Sequence, residues 1–141
     1  MAKVNDVVNV VRGEARTALT KSLEFSEAAQ AEASAKRWNA AGLAAIHSAI
    51  SAADAAMIAS AGMHSTSQEH GAVIPMLEAQ IPEFKALQRR QLGGLLKKKN
   101  QVAYERRLLS DVEAKLLVDQ ATRFTRWANS VVKKHLGEPP A

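Results

Sequence analysis

Seven side chains able to donate a hydrogen bond or a positive charge to an anion fall close together in this chain: Lys97, Lys98, Lys99, Asn100, Tyr104, Arg106 and Arg107. Ammonium and guanidinium groups at this density can neutralise successive phosphates, and each phosphate so neutralised makes affinity fall with salt through counterion release. Arg89 and Arg90 stand a few residues upstream and extend the same charge. The competing reading is that lysines near the C-terminal end of a helix oppose its dipole and stay solvated. Tyr104 can donate a hydrogen bond to a phosphate, but an amphipathic aromatic at a helix junction is expected to fill the core with its hydroxyl at the rim. Asn100 can orient a ligand or cap the end of a helix. A single aromatic is no stacking pair, so the pattern points to anion binding without base readout.

Other chemistries find weaker support. The chain has no cysteine, which removes disulfides, thiolate metal sites and a cysteine nucleophile. His47, His64 and His70 have no further ligands at a recognised spacing, since Glu69 and Asp54 complete no metal pattern; the two histidines bracketing the polar stretch read as solvated loop residues. Ser65 and Ser67 near them lack a strand-to-helix elbow and a third orienting group. Gly93-Gly94 stands alone, without the spacing of a phosphate-cradling loop. No catalytic residue, metal or cofactor is therefore assigned.

The charge is placed as unevenly as the chemistry. The chain has 141 residues and a formal charge of +5. Residues 1–82 hold six Lys/Arg against eight Asp/Glu, residues 83–107 eight against two, and residues 108–141 five against four. One 25-residue stretch thus carries the excess, where its field can draw in an anionic partner. With aromatics at only 4% and alanine abundant, close helix packing is favoured over a sheet. The length suits one helical domain over 1–141, with residues 137–141 as a short disordered tail. Asn5, Asp6 and Arg12 interrupt the apolar start, and no later segment approaches 18 uninterrupted apolar residues, so the expectation is a cytoplasmic protein with no membrane association.

Periodicity supplies the elements that must hold the basic segment. A first helix is expected from about Lys3 into the mid-thirties, with Val4, Val8, Val11, Ala15, Ala18, Phe25 and Ala29 on its apolar stripe. A second is expected from Trp38 or Asn39 to about Ala61, burying Leu43, Ile46, Ile50, Ala53, Met57 and Ala61 and stopping at Gly62. MHSTSQEHG follows as an exposed, mobile loop. A third helix starts between His70 and Pro75, is interrupted at Pro82, and resumes with Phe84, Leu87, Leu92, Leu95, Leu96 and Val102. Gly93 and Gly94 mark a bend or a close backbone contact within it. Ser110-Asp111-Val112-Glu113 is a capping box that starts the last helix, whose stripe is Leu117, Ala121, Phe124, Ala128, Val131 and Val132. Trp38 and Trp127 read as packing anchors, one of them available for a subunit contact. The fold class is all-α, an antiparallel four-helix bundle with a long third helix interrupted by proline.

In the segments "HGAVIPML", "LLKKKNQVAY" and "LLSDVEAKLLVDQATRFTRWA" the chain resembles the HEPN superfamily, small helical bundles named for higher-eukaryote and prokaryote nucleotide binding. Catalytic members carry an arginine, usually followed by a polar residue, and a histidine four to six residues further on, and cleave RNA, commonly at a dimer interface. The resemblance places Lys99 at the arginine, Asn100 at the polar position and Tyr104 at the histidine. Lysine keeps the charge but lacks the planar fork that clamps a phosphate, and a tyrosine hydroxyl is a poor proton shuttle at neutral pH compared with imidazole.

Residues and resemblance together give the expectation of a HEPN-like homodimer with little or no catalysis, binding RNA or a nucleotide through Lys97, Lys98, Lys99, Asn100, Tyr104, Arg106 and Arg107. Two alternatives stand beside it. One is a HEPN ribonuclease of a toxin–antitoxin pair, with Lys99 and Tyr104 or Arg106 replacing the usual residues. The other is a protein-interaction partner of a nucleotidyltransferase.

Overall fold

Alanine dominates the central helix, and the packing follows from it. The computed structural model describes residues 7–65 and 72–137. Their helices are α1 (Ala15–Ser34), α2 (Trp38–Ala61), α3 (Val73–Gln80), α4 (Ala86–Tyr104) and α5 (Asp111–His135). Helix α2 runs through the middle, with α1 and α5 packed most extensively against it and α4 bridging α2 and α5. Small side chains let these neighbours approach from several sides. Ala41, Ala45, Ala49, Ala52, Ala55, Ala56 and Ala59 are all fully inaccessible, so α2 is buried around most of its circumference where one buried face was expected. Among the described residues α2 is also the one helix with the length and apolar character to cross a membrane, and most of it is buried within the fold.

The first expected helix is shorter than its periodicity suggested. Val7–Asn9 forms a short strand β1, Arg12–Glu14 a 3₁₀ turn, and helix begins only at Ala15. A run of β-branched valines at 7, 8, 10 and 11 favours extended backbone, and β1 pairs antiparallel with Met63–Ser65 (β2), the start of the expected loop. The pairing sets Val8 opposite His64, and the Val10 amide donates to the Gly62 carbonyl at 2.7 Å. Gly62 ends α2 at φ +66°, as expected of a glycine stop. Val4, the tip of the polar loop including His70, Ser67 and Glu69, and residues 138–141 of the tail lie outside the described residues. The true stripe of α1 is Ala15, Leu19, Ser22 and Ala29.

Helix α1 turns into α2 through a three-residue connection. The Lys36 amide donates to the Ala33 carbonyl and the Arg37 amide to the Glu32 carbonyl, a Schellman arrangement whose left-handed position, φ +62°, is filled by Lys36 instead of glycine. Beyond α3 the backbone becomes extended at Ile81, the residue before Pro82, whose ring disfavours helical geometry in its predecessor. Helix α4 then starts at Ala86 with the Gln88 side chain accepting from the Lys85 amide at 2.9 Å. Leu92 and Leu95 are buried as expected, whereas Leu87 is half exposed. Gly93 and Gly94 both lie within the helical backbone of α4, where a β-carbon would make only ordinary contacts, with Ile74 and with the Gln120 side chain of α5.

The α5 stripe is buried throughout, and Trp127 packs against Phe84 and Phe124 with ring centroids 5.8 and 5.2 Å away. One polar contact pins three helices together. The Ser22 hydroxyl of α1 donates to the Ser48 carbonyl of α2 at 2.7 Å and lies 3.4 Å from the Thr125 hydroxyl of α5, all buried. At the far end, Glu83 holds Lys134 and His135 at 2.8 and 3.2 Å, and the Lys134 hydrogen bond chiefly keeps its carboxyl below the usual glutamate range.

Candidate functional site

The basic segment occupies the last turns of α4 and the connection to α5, and side chains of α2 dock that connection. Asn39, in the first turn of α2, accepts from the Leu109 amide at 2.9 Å. Leu109 is buried, and its side chain lies over Gly42 so closely that no β-carbon would fit there. Lys115 of α5 lies over the Trp38 ring, 5.5 Å from its centroid, and adds a second tie between the same helices. Periodicity alone could not reveal this docking, which pairs residues near 40 with residues near 110.

At the start of α5 the capping box forms as its spacing implies. The Ser110 hydroxyl accepts from the Glu113 amide at 3.1 Å, and Glu113 Oε1 accepts from the Ser110 amide at 3.0 Å. The Glu113 carboxylate also accepts from Lys98 at 3.3 Å and from Arg107 through two nitrogens at 3.1 and 2.6 Å. Its carboxyl is held below the ordinary glutamate range, first by the Ser110 amide and then by Lys98 and Arg107. The basic segment therefore divides into two sets. Lys98 and Arg107 are committed to Glu113, and Arg89 to Glu78 at 2.9 Å. Lys97, Lys99 and Arg106 have no ion pair among the described residues.

Tyr104 does not fill the core. It ends α4 with 77% of its surface exposed, and the backbone turns extended at Glu105. Lys99 Nζ lies 5.9 Å from its ring centroid, within cation–π range, so the structure brings these two together. Asn100 is exposed one turn before the helix ends, and Glu105 takes the capping position expected of it. Leu108, Val112 and Leu116 are also more than half exposed, giving the same end of the molecule an apolar surface beside its cations.

A second site went unnoticed in the sequence. A cleft of about 270 Å³ opens between the N-terminal segment, α1, α2 and β2, lined by Val10, Glu14, Lys21, Ser51, Asp54 and His64 among others. Asp54 sits within the alanine-rich helix α2, half-buried, with no hydrogen bond or ion pair among the described residues. Burial raises its carboxyl to about 6, and His64 and Lys21 offset only part of that rise. His64 belongs to β2 and is half-buried, which corrects the solvated-loop reading; its Nδ1 donates to the Ser65 carbonyl at 3.1 Å. His47 lies against Phe25 at 5.5 Å, and burial, then Lys99 and Lys21, lower its basicity. The available signal was a lone aspartate in a helix that otherwise carries no Asp, Glu, Lys or Arg.

No three histidine or acidic side chains among the described residues gather in a way that would hold a metal. The chain matches no protein-family model and no curated protein.

Proposed function

We propose that this chain is a HEPN-like four-helix bundle, with α3 and α4 as one proline-interrupted member, that binds RNA or a nucleotide through the α4–α5 end with little or no catalysis. The observation that supports it is Lys99 over the exposed Tyr104 ring, with Lys97 and Arg106 in the same segment also without an ion pair among the described residues. Unpaired ammonium and guanidinium groups are available to phosphate without first breaking an internal ion pair, and an exposed ring offers a base one face on which to stack. Asn100 adds a carboxamide on the same exposed segment. A homodimer belongs to the same reading, with exposed Leu108, Val112 and Leu116 as the apolar surface for a second copy.

The test is fluorescence anisotropy with a labelled single-stranded RNA across a salt series. Each phosphate contact contributes roughly 0.7 to the logarithmic salt slope, so replacing Lys97, Lys99 and Arg106 with alanine together lowers that slope by about 2 and weakens binding about tenfold or more. Lys98→Ala changes binding less, since its charge is committed to Glu113. Absence of salt-dependent binding by the unaltered protein removes the proposal. RNA cleavage that is lost in both Lys99→Ala and Tyr104→Phe replaces it with the ribonuclease reading, for which the Lys99–Tyr104 contact is the supporting geometry.

A further inference from the structure

We propose that the cleft between α1, α2 and β2 binds a small organic amine, with the Asp54 carboxylate as counter-ion to its ammonium group. The cleft has both halves of such a site. Val10, Ala18 and Ile58 supply an apolar wall for a hydrocarbon body, and Asp54 and Ser51 supply oxygens on the α2 side. A volume of about 270 Å³ suits a compact molecule.

The charge balance selects a cation. Two carboxylates, Asp54 and Glu14, face the cleft against one ammonium, Lys21, whose side chain is exposed and can carry its charge outward into water. His64 has its Nδ1 proton engaged by the Ser65 carbonyl. Asp54 is thus a half-buried carboxylate to which no described residue supplies a donor, a costly arrangement that an ammonium ligand relieves by giving a charge-assisted hydrogen bond. Because burial has raised Asp54 to about 6, its protonation in mildly acidic solution removes the counter-ion. Glu14, Lys21 and His64 are the other titratable groups facing the cleft, and Lys21 and His64 already act on Asp54 in the opposite direction to burial.

The experiment titrates the full-length protein with butylamine and cyclohexylamine, using butanol and butyrate as neutral and anionic controls, followed by calorimetry and by the NMR shift of His64. The amines are expected to saturate within the millimolar range and shift His64 at neutral pH, weakening as pH falls through about 6, while the controls do not bind. Asp54→Asn, which keeps the shape and relieves the buried charge, is expected to lower amine affinity roughly tenfold or more. Lys21→Met leaves amine binding equal or stronger. Preferential binding of butyrate that is lost in Lys21→Met makes the cleft an anion site and overturns the proposal. Amine binding of equal strength in Asp54→Asn, or no saturable binding by either amine, overturns it as well. The α4–α5 surface is untouched by these variants, so RNA binding is expected to be unchanged in them.

Discussion

Asp54 occupies a position where alanine would be cheaper for the fold, and the cost has a definite pH signature. The unfolded chain titrates this carboxyl near its ordinary value of 3.8, whereas the folded protein does so at about 6. A raised folded value means that folding takes up a proton between the two. Stability linked to Asp54 is therefore fully present below about 3.8, declines as pH rises toward 6, and is constant above. The separation corresponds to a penalty on the order of 2–3 kcal/mol at neutral pH. Asp54→Asn, which cannot ionise, is expected to be more stable than the parent by about 1–3 kcal/mol at pH 7.5, with the gap closing near pH 4. Urea unfolding at both pH values checks this, and a gap that does not change with pH would mean that burial does not control this carboxyl. A residue tolerated at such a cost is a candidate for work other than packing.

At the scale of elements, the connection between α4 and α5 is held by α2 through two positions one turn apart. Asn39 fixes the Leu109 amide, and Gly42 leaves the space that the Leu109 side chain fills. A methyl group at position 42 must displace Leu109, and with it the segment carrying Tyr104 and Arg106. Gly42→Ala is expected to cost about 1–3 kcal/mol, the usual range for overpacking a core. Leu109→Ala made in the same chain should recover part of that loss, so the two effects are non-additive in a double-mutant cycle; simple additivity would refute direct contact as the cause. What the sequence could disclose about these elements depended on distance along the chain. The Ser110–Glu113 cap, the Gly62 stop and the α5 stripe were legible because their partners lie within a few residues. The β1 strand was not, since its valines mimic a helical stripe and its partner, 63–65, lies beyond two helices. The cations of residues 97–107 were legible as a group, but their division was not, because it depends on the side of α4 that faces Glu113.

For the molecule as a whole, the net charge overstates what is available to a partner. Of the excess concentrated in residues 83–107, Lys98 and Arg107 are held by a carboxylate that is also part of a helix cap. Glu113 thus joins the start of α5 to the basic end of α4 and engages two of its cations in ion pairs. The two roles can be separated. Glutamine at position 113 retains an oxygen able to accept from the Ser110 amide, as capping boxes allow, but removes the negative charge. Under the proposed reading, Glu113→Gln leaves the helical circular dichroism spectrum unchanged, tightens RNA binding, and steepens the logarithmic salt slope by roughly 0.7 for each cation that gains a phosphate. The carboxyl lies below the ordinary glutamate range, so acid should reproduce the variant only once pH falls below that range; above it, where Glu113 is ionised in both folded and unfolded chains, its contribution is constant. Tighter binding with an unchanged slope would place the gain elsewhere than in phosphate contacts. Unchanged binding would show that Lys98 and Arg107 do not reach the anion even when released, which would confine the interface to Lys97, Lys99, Tyr104 and Arg106.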